Sequence, residues 1–345
     1  MLKYFGNSLA LTVVGLALGG FIGWHETGTL AGLAEAVFIV SILGVLEVSL
    51  SFDNAVVNAS VLGEMDAVWR HRFITWGIAI AVFGMRIVFP LVIVAVVASI
   101  SPVEAVRLAV QEPKTYAAIL TGAHVSVSAF GGAFLGMVGL KHFLDVEKDE
   151  HWIHWLERPL AKLGRVESVQ IGVVLLVVWL VSMEVHAEER LTFLVAAILG
   201  LVCYIAVDGV SALMEDASDE KSEVTARSGL AAFLYLEVLD ASFSFDGVIG
   251  AFALTTNLFV IAIGLGIGAM FVRSLTIMLV DKGTLTEYRF LETGAFYAIL
   301  ALAVIMFLQT LMEIPEVVTG LIGATFIGLS FWSSVRANRR EAVEG

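Results

Sequence analysis

Long apolar runs recur along the whole chain and are separated by short polar segments. Apolar runs of about 18 residues or more are typical of helices that cross a bilayer, so the pattern predicts an all-α, polytopic membrane protein. The run after Lys3 has the character of a signal sequence, but no A-x-A-like cleavage site follows it, and we interpret it as the first span. The ten predicted spans are 8–24, 33–62, 73–99, 115–140, 168–185, 191–213, 229–255, 257–280, 293–312 and 316–335.

The polar segments divide the chain into two similar halves. We predict a single transmembrane domain over residues 1–345, with a first repeat at 33–145 and a second repeat at 229–335. Residues 146–228 supply connecting spans and end in an acidic, polar stretch at 214–228. That stretch is the natural linker between the two halves.

Composition narrows the class of protein further. Hydrophobic residues make up 59% of the chain and charged residues 15%, with a mean hydropathy of +0.91, whereas soluble domains are about a quarter charged. The net charge of -13 argues against nucleic acid as a partner and suits a protein that attracts cations. Cys203 is the single cysteine, which excludes an intrachain disulfide and a thiolate metal cluster.

The distribution of lysine and arginine predicts the orientation in the membrane. If the N-terminus is cytoplasmic, the inner segments hold 15 of the 20 basic residues and the outer segments hold three. Arg86 and Arg273 lie within spans. Because basic residues accumulate in cytoplasmic loops, we expect both termini to be cytoplasmic in a cell (cytoplasmic or inner) membrane.

Two acidic motifs lie inside apolar spans, one in each half. The first reads Glu47-Val-Ser-Leu-Ser-Phe-Asp53, and the second reads Asp240-Ala-Ser-Phe-Ser-Phe-Asp246. Both copies place two acids six residues apart and share the pattern Ser-x-Ser-Phe-Asp. Acids within a bilayer are costly and usually functional, so a matched pair of such motifs predicts a site.

Each half also carries an arginine one span after its motif. Arg86 follows Gly77 by nine residues, and Arg273 follows Gly264 by nine residues. The motifs lie on predicted spans 2 and 7, and five spans of separation make the two copies antiparallel in the bilayer. This arrangement predicts an inverted-topology repeat, in which transporters bind substrate near the midplane where the repeats meet.

The spacing of the acids bears on the shape of the helices. A helix turns by about 100° per residue, so carboxylates six residues apart point about 120° apart. Glu237 shares a helix face with Asp240, whereas Asp246 lies opposite Glu237. The acids can therefore serve one site in two ways: the helices are broken near Ser51 and Ser244, or each helix contacts partners on two sides.

Charge balance points to the kind of ligand. Five acids face two arginines, which leaves three negative charges for protons or a divalent cation to balance. We expect each arginine to form an ion pair with a motif acid. The available donors are hard oxygens, which suit Mn²⁺, Mg²⁺ or Ca²⁺. Besides the five acids Glu47, Asp53, Glu237, Asp240 and Asp246, they come from Asn54, Asn58, Ser51, Ser244 and backbone carbonyls.

These residues carry a family resemblance. The first motif resembles the E-x-x-L-S-x-D-N-x-x-V signature of the TerC-like integral membrane proteins, and the second resembles their E-x-x-D-x-x-F-x-x-D stretch. The midspan arginines and the glycine-rich helix from Gly131 are also similar, so the resemblance covers roughly 33–145 and 229–335. The family is associated with manganese export, metal-ion homeostasis and, in some members, tellurite resistance. The resemblance implies metal-site roles for Glu47, Asp53, Asn54, Asp240 and Asp246.

The chain also departs from the family pattern. The usual Asp-Ser-Ile-Pro after the second motif is replaced by a sequence that begins with Asp246 and Gly247, so a hydroxyl ligand is missing. Spans are predicted at 8–24 and around 168–213 beyond those of typical members. We therefore place the chain in a divergent branch.

Three functions are compatible with these features. The favoured one is a membrane transporter of a divalent metal cation, most simply a manganese exporter that exchanges the metal for protons. An exporter of a small organic cation or amino acid is an alternative, although such a substrate needs one or two acids and an apolar pocket. A non-transporting membrane scaffold or metallation factor is the other alternative.

We do not expect an enzyme, because the sequence contains neither an H-E-x-x-H motif nor a nucleophile–His–Asp set. We also expect no covalently bound cofactor. The expected partners are the lipid bilayer, divalent cations and protons, and the sequence leaves the oligomeric state open.

Overall fold

The computed structural model describes residues 2–146, 148, 151–164, 168–216 and 221–344. These residues form α-helices and one π-helical segment, and the described part of the chain contains no strand. The backbone of Asp246 is among the described residues, but its side chain is not. The all-α class predicted from the sequence is confirmed.

The first half of the chain runs from the N-terminus to the end of α8. Its helices are α1 (Leu2–Thr27), α2 (Leu30–Leu50), α3 (Phe52–Glu64), α4 (Ala67–Ala79), the π-helical segment (Ile80–Val88), α5 (Phe89–Val97), α6 (Pro102–Gln111), α7 (Pro113–Gly122) and α8 (His124–Leu144).

The second half contains the longest helices. They are α9 (His154–Leu163), α10 (Val169–Glu184), α11 (Arg190–Asp216), α12 (Lys221–Leu254), α13 (Leu258–Asp281), α14 (Thr284–Glu287), α15 (Leu291–Gln309) and α16 (Glu316–Glu344). Residues 217–220, in the middle of the predicted acidic linker, lie outside the described residues.

Among the described helices, eight are long and apolar enough to cross a bilayer, which makes the protein a multi-pass membrane protein. They are α1, α2, the π-helical segment with α5, α8, α11, α13, α15 and α16. The two other predicted spans coincide with α10, which has 16 residues, and with α12, whose apolar part carries three acids. The count of ten spans and the inversion of the repeats stay predictions.

Two predicted spans are each divided into two helices in the structure. The span predicted at 33–62 is divided at Ser51 into α2 and α3, and the span predicted at 115–140 is divided at Ala123 into α7 and α8. The apolar run of α8 therefore starts later than predicted and continues to Leu144. The reason is that periodicity locates apolar residues but does not show where one residue leaves the helical conformation.

The two acidic motifs differ in backbone shape. In the first motif Ser51 adopts φ -105° and ψ 22°, outside the helical region, and its N–H donates to the Glu47 carbonyl. The second motif lies within the continuous helix α12. Of the two alternatives drawn from the acid spacing, a broken helix holds in the first half, and a continuous helix with partners on two sides holds in the second.

The helix that follows the first motif contains an uncommon winding. Residues Ile80–Val88 form a π-helix between α4 and α5, and this segment carries Arg86. π-helical turns are rare and frequent at functional sites. Arg86 lies in the last turn of this segment.

The two halves are interleaved around the motifs. α2 and α3 pack against α13, which carries Arg273, while α12 packs against the π-helical segment, which carries Arg86. α15 packs against α3 and α8, and α8 also contacts α12. Each acidic motif therefore lies beside the arginine helix of the opposite half, so residues from both halves build the same region.

Candidate functional site

Glu47 and Arg86 form a buried ion pair at the end of α2. Arg86 donates from Nη2 to Glu47 Oε1 and from Nη1 to the Ala81 carbonyl at 2.9 Å. The Ser51 hydroxyl also lies 3.4 Å from Glu47 Oε1. The expected pairing of a midspan arginine with a motif acid is confirmed here, and it neutralises one of the acids.

A close helix contact holds Glu47 in place. A Cβ added at Gly268 of α13 would lie 2.8 Å from the Gly44 carbonyl and 2.6 Å from Glu47 Cγ. Such distances leave no room for a side chain at this position. Gly268 therefore lets α13 approach α2 closely enough to enclose the Glu47 carboxylate beside Arg86.

Asp240 of α12 meets α3 rather than Glu47. Asn58 donates from Nδ2 to Asp240 Oδ1 at 2.9 Å, and both side chains are buried. Asn54 lies one turn before Asn58 on the same helix and lines the same space. The break at Ser51 thus starts a short helix that carries two amides toward the second motif.

Arg273 lies in a pocket formed by Phe73 and Gly77. Its guanidinium carbon lies 3.9 Å from the centroid of the Phe73 ring, a cation–π contact. A Cβ added at Gly77 would overlap the Arg273 guanidinium and lie 3.0 Å from Glu237 Oε1. Arg273 and Glu237 therefore share the space that the missing side chain of Gly77 leaves.

Asp53 faces a different neighbour from the other acids. Its Oδ1 accepts the Asn54 backbone N–H at 2.9 Å. Its Oδ2 lies against α16, where a Cβ added at Gly323 would be 2.8 Å away. Asp53 therefore contacts α16, whereas Glu47 is paired with Arg86.

A small cavity lies between the two motifs. We call it the Asp240 cavity; its volume is about 30 Å³, and about 15 Å³ already holds one water-sized group. Its polar lining consists of Glu47, Ser51, Asn54, Asn58, Arg86, Asp240, Ser244, Arg273 and Thr276. Phe73 and Phe243 form apolar parts of the wall.

Several polar atoms around this cavity lack a partner. In the described part of the chain, Asn54 Oδ1, Asn58 Oδ1 and Ser244 Oγ are buried without a hydrogen bond. Both carboxylate oxygens of Glu237 and the Nε and Nη2 atoms of Arg273 are also buried without one. Unpaired buried groups cost about 1–3 kcal/mol each, so the atoms of Asn54, Asn58 and Ser244, which line the cavity, are expected to be satisfied by something that enters it.

The predicted ligands are not gathered into one shell. No group of three or more His, Cys, Asp or Glu side chains that could hold a metal occurs among the described residues. Asp240 meets Asn54, Asn58 and Ser244 around the Asp240 cavity, whereas Asp53 and Glu237 do not line it. Asp246, predicted as a ligand, has a side chain outside the described part of the chain.

Some residues of the site carry no signal in the sequence. Phe73 and Thr276 line the Asp240 cavity but lie outside both motifs, and Phe243 lies inside the second motif as an apolar residue between two serines. Gly77 is recognisable only as part of the repeated Gly-to-Arg spacing. Their roles follow from which helices pack together, which the motif pattern does not specify.

Comparison with known proteins gives a family match. The family described as "Protein of unknown function (DUF475)" matches residues 52–341, which is most of the chain and includes the second motif and both arginines. No curated protein and no solved structure matches the chain. The chemistry of the site must therefore be argued from its own residues.

Proposed function

The chain belongs to the DUF475 family, and from the geometry of its site we propose that it is a membrane transporter of a divalent metal cation. Manganese export in exchange for protons is the form of this proposal that the TerC-like motifs favour. The observation that carries the proposal is the Asp240 cavity, where unpaired oxygens of Asn54, Asn58 and Ser244 surround one carboxylate.

The donor set favours a hard cation. The Asp240 carboxylate, two amide oxygens and a hydroxyl are the oxygen ligands that Mn²⁺, Mg²⁺ and Ca²⁺ prefer. Phe73 and Gly77 hold Arg273 at one side of the cavity.

The charges of the buried groups suit a divalent ion. Glu47, Asp53, Glu237 and Asp240 are buried together with Arg86 and Arg273, which leaves two uncompensated negative charges. One divalent cation would neutralise them. The further acid Asp246 supplies a charge that a proton can neutralise, which is the basis for proposing protons as the exchanged ion.

The size of the cavity disfavours the organic-cation and amino-acid alternative. Pockets for small organic ligands usually have volumes of about 300–1,000 Å³, whereas the Asp240 cavity has about 30 Å³. An ion with one water molecule is of the appropriate size. A measurement of ion flux distinguishes a transporter from the alternative of a scaffold or metallation factor.

The proposal is tested by metal binding and flux in the Asp240→Asn variant. In detergent, saturating Mn²⁺ should stabilise the wild-type protein, by about 2.7 kcal/mol at one hundred times its dissociation constant. Asp240→Asn should lose most of this shift, because the ligand charge is removed. Reconstituted vesicles should show Mn²⁺ flux with the wild type and little with the variant.

Glu35→Gln is the matched control, since Glu35 lies on α2 but is exposed on the surface of the bundle. This variant should keep the Mn²⁺-dependent stabilisation and the flux. The proposal is lost if Asp240→Asn folds normally and still binds and transports Mn²⁺ like the wild type. Binding without flux in the wild type would favour the metallation factor.

A further inference from the structure

A second cavity adjoins the Asp240 cavity on the side of α16. We call it the Asp53 cavity, and its volume is about 50 Å³. The two cavities share Glu47, Ser51, Asn54 and Phe243 as common wall. The Asp53 cavity lacks Asp240 and instead contains Asp53 and Thr319.

Two polar atoms at this cavity have no partner. Asn54 is 8% exposed, and its Oδ1 atom is buried without a hydrogen bond in the described part of the chain. Thr319 Oγ1, from α16, is likewise buried without one. These unpaired oxygens lie in the same cavity as the Asp53 carboxylate, and together the three groups form a set of hard oxygen donors of the kind that bind a divalent cation.

The approach of α16 is what completes this cavity. A Cβ added at Gly320 would overlap the Leu50 side chain, and one added at Gly323 would lie 2.8 Å from Asp53 Oδ2. These two glycines let α16 lie directly against the break between α2 and α3. Thr319, next to Gly320, is thereby placed at the cavity that also contains Asp53.

We propose that the Asp53 cavity is a second cation position, in series with the position at Asp240. This inference rests on the proposed function, since it assigns the same hard divalent cation to both cavities. The ligands would be Asp53, Thr319 Oγ1 and Asn54 Oδ1, all of them hard oxygens.

The shared wall gives the two positions a connection. Asn54 borders both cavities, so its amide oxygen can serve a cation on either side. Conduction requires that an ion binds well enough to enter, and weakly enough or at enough neighbouring sites to leave. Phe243 is the apolar residue common to both walls.

The test counts and titrates bound Mn²⁺ on the full-length protein in detergent. At saturating Mn²⁺ the wild-type protein should bind one ion for each cavity, the second more weakly because the first already balances the two uncompensated charges. Asp53→Asn should lose one of the two ions, and Asp240→Asn should lose the other. Thr319→Val should weaken one binding event by about tenfold or more, whereas Thr319→Ser, which keeps the hydroxyl, should bind like the wild type.

The outcomes separate this inference from the proposed function. A single bound Mn²⁺ that Asp240→Asn removes and that Asp53→Asn and Thr319→Val leave unchanged would overturn the second position while the proposed function stands. Absence of Mn²⁺ binding by folded wild-type protein would overturn the proposed function itself. Far-UV circular dichroism and gel filtration establish that each variant is folded before its bound Mn²⁺ is counted.

Discussion

Arg86 and Arg273 occupy matching places in the two halves but have different surroundings. Arg86 is neutralised directly by Glu47 and also donates to a carbonyl of its own helix. Arg273 instead stacks on Phe73 and keeps its Nε and Nη2 atoms without hydrogen bonds in the described part of the chain. The Nε atom of Arg86 is likewise without a hydrogen bond in the described residues, so what distinguishes the two arginines is the ion pair of Arg86 with Glu47.

A substitution at Gly77 tests how the surroundings of Arg273 contribute to stability and binding. Gly77→Ala places a methyl group where the Arg273 guanidinium and Glu237 now lie. Overpacking of this kind typically costs about 1–3 kcal/mol. We expect a lower melting temperature and weaker Mn²⁺ binding, measured by thermal unfolding with and without Mn²⁺.

Gly172→Ala in α10 is the matched control, because an added Cβ there has no other atom within 4 Å. Replacing an unconstrained helical glycine by alanine removes backbone entropy from the unfolded chain and should stabilise by about 0.5–1 kcal/mol. Equal effects of the two substitutions would show that Gly77 has no special part in placing Arg273.

At the scale of elements, the two acidic motifs have the same spacing of acids but different helix backbones. The first motif breaks at Ser51, where Gly320 and Gly323 of α16 allow that helix to lie against Leu50 and Asp53. The second motif continues through α12 without interruption. The local sequences are alike, so the difference comes from the helices that pack on them.

A second buried ion pair anchors α9 to the bundle. Glu157, 1% exposed, accepts Lys148 Nζ at 3.0 Å, the Tyr297 hydroxyl at 3.1 Å and the Ile153 N–H at 2.7 Å. Burial lowers the pKa of Lys148, although the Glu157 carboxylate opposes that change. The carboxylate thus satisfies three donors from different parts of the chain.

Removing that carboxylate should destabilise the protein. Glu157→Gln removes the carboxylate that Lys148 contacts and leaves it only the charges of Asp145 and Glu292, and breaking a buried pair in this way costs up to about 3–5 kcal/mol. The free energy of unfolding in detergent, or the melting temperature, measures the effect. Lys148→Met combined with Glu157→Gln should recover part of the loss, because the unpaired charge is then absent.

The exposed pair between Lys141 and Asp208 is the matched comparison. Its side chains are 55% and 45% exposed, and exposed pairs contribute about 0–1 kcal/mol. Asp208→Asn should therefore lower stability far less than Glu157→Gln. A loss as large as that of Glu157→Gln would contradict the assignment of Glu157 as the anchor.

At the scale of the whole molecule, the site belongs to both halves. Asp240 from the second half is held by Asn58 from the first, and Arg273 from the second stacks on Phe73 from the first. A change in how the halves pack would therefore change the cavity.

The predicted orientation is tested with introduced cysteines. In a Cys203→Ser background, His186→Cys should react with a membrane-impermeant maleimide in intact cells, and Lys282→Cys should react only after the membrane is permeabilised. Both positions are exposed on the protein. The reverse pattern of labelling would place the N-terminus outside and contradict the positive-inside prediction.

Much of the architecture could be predicted from the amino-acid sequence alone. Apolar runs identified the helices, and the rule that acids avoid the bilayer singled out Glu47, Asp53, Glu237 and Asp240, all of which are buried. Pairing of Arg86 with a motif acid also followed from charge alone. Helix ends were less accurate, because one residue such as Ser51 or Ala123 divides a run without changing its composition.

The sequence by itself determined the membrane class and the chemical nature of the donors, because hydropathy and side-chain charge are local properties. Only the tertiary structure decided which acids share a cavity. It separated Asp53 from Asp240 and brought Phe73, Gly77 and Thr319 to the site. The physical reason is that these residues act through contacts between distant helices, and their own neighbourhoods in the chain look like ordinary packing segments.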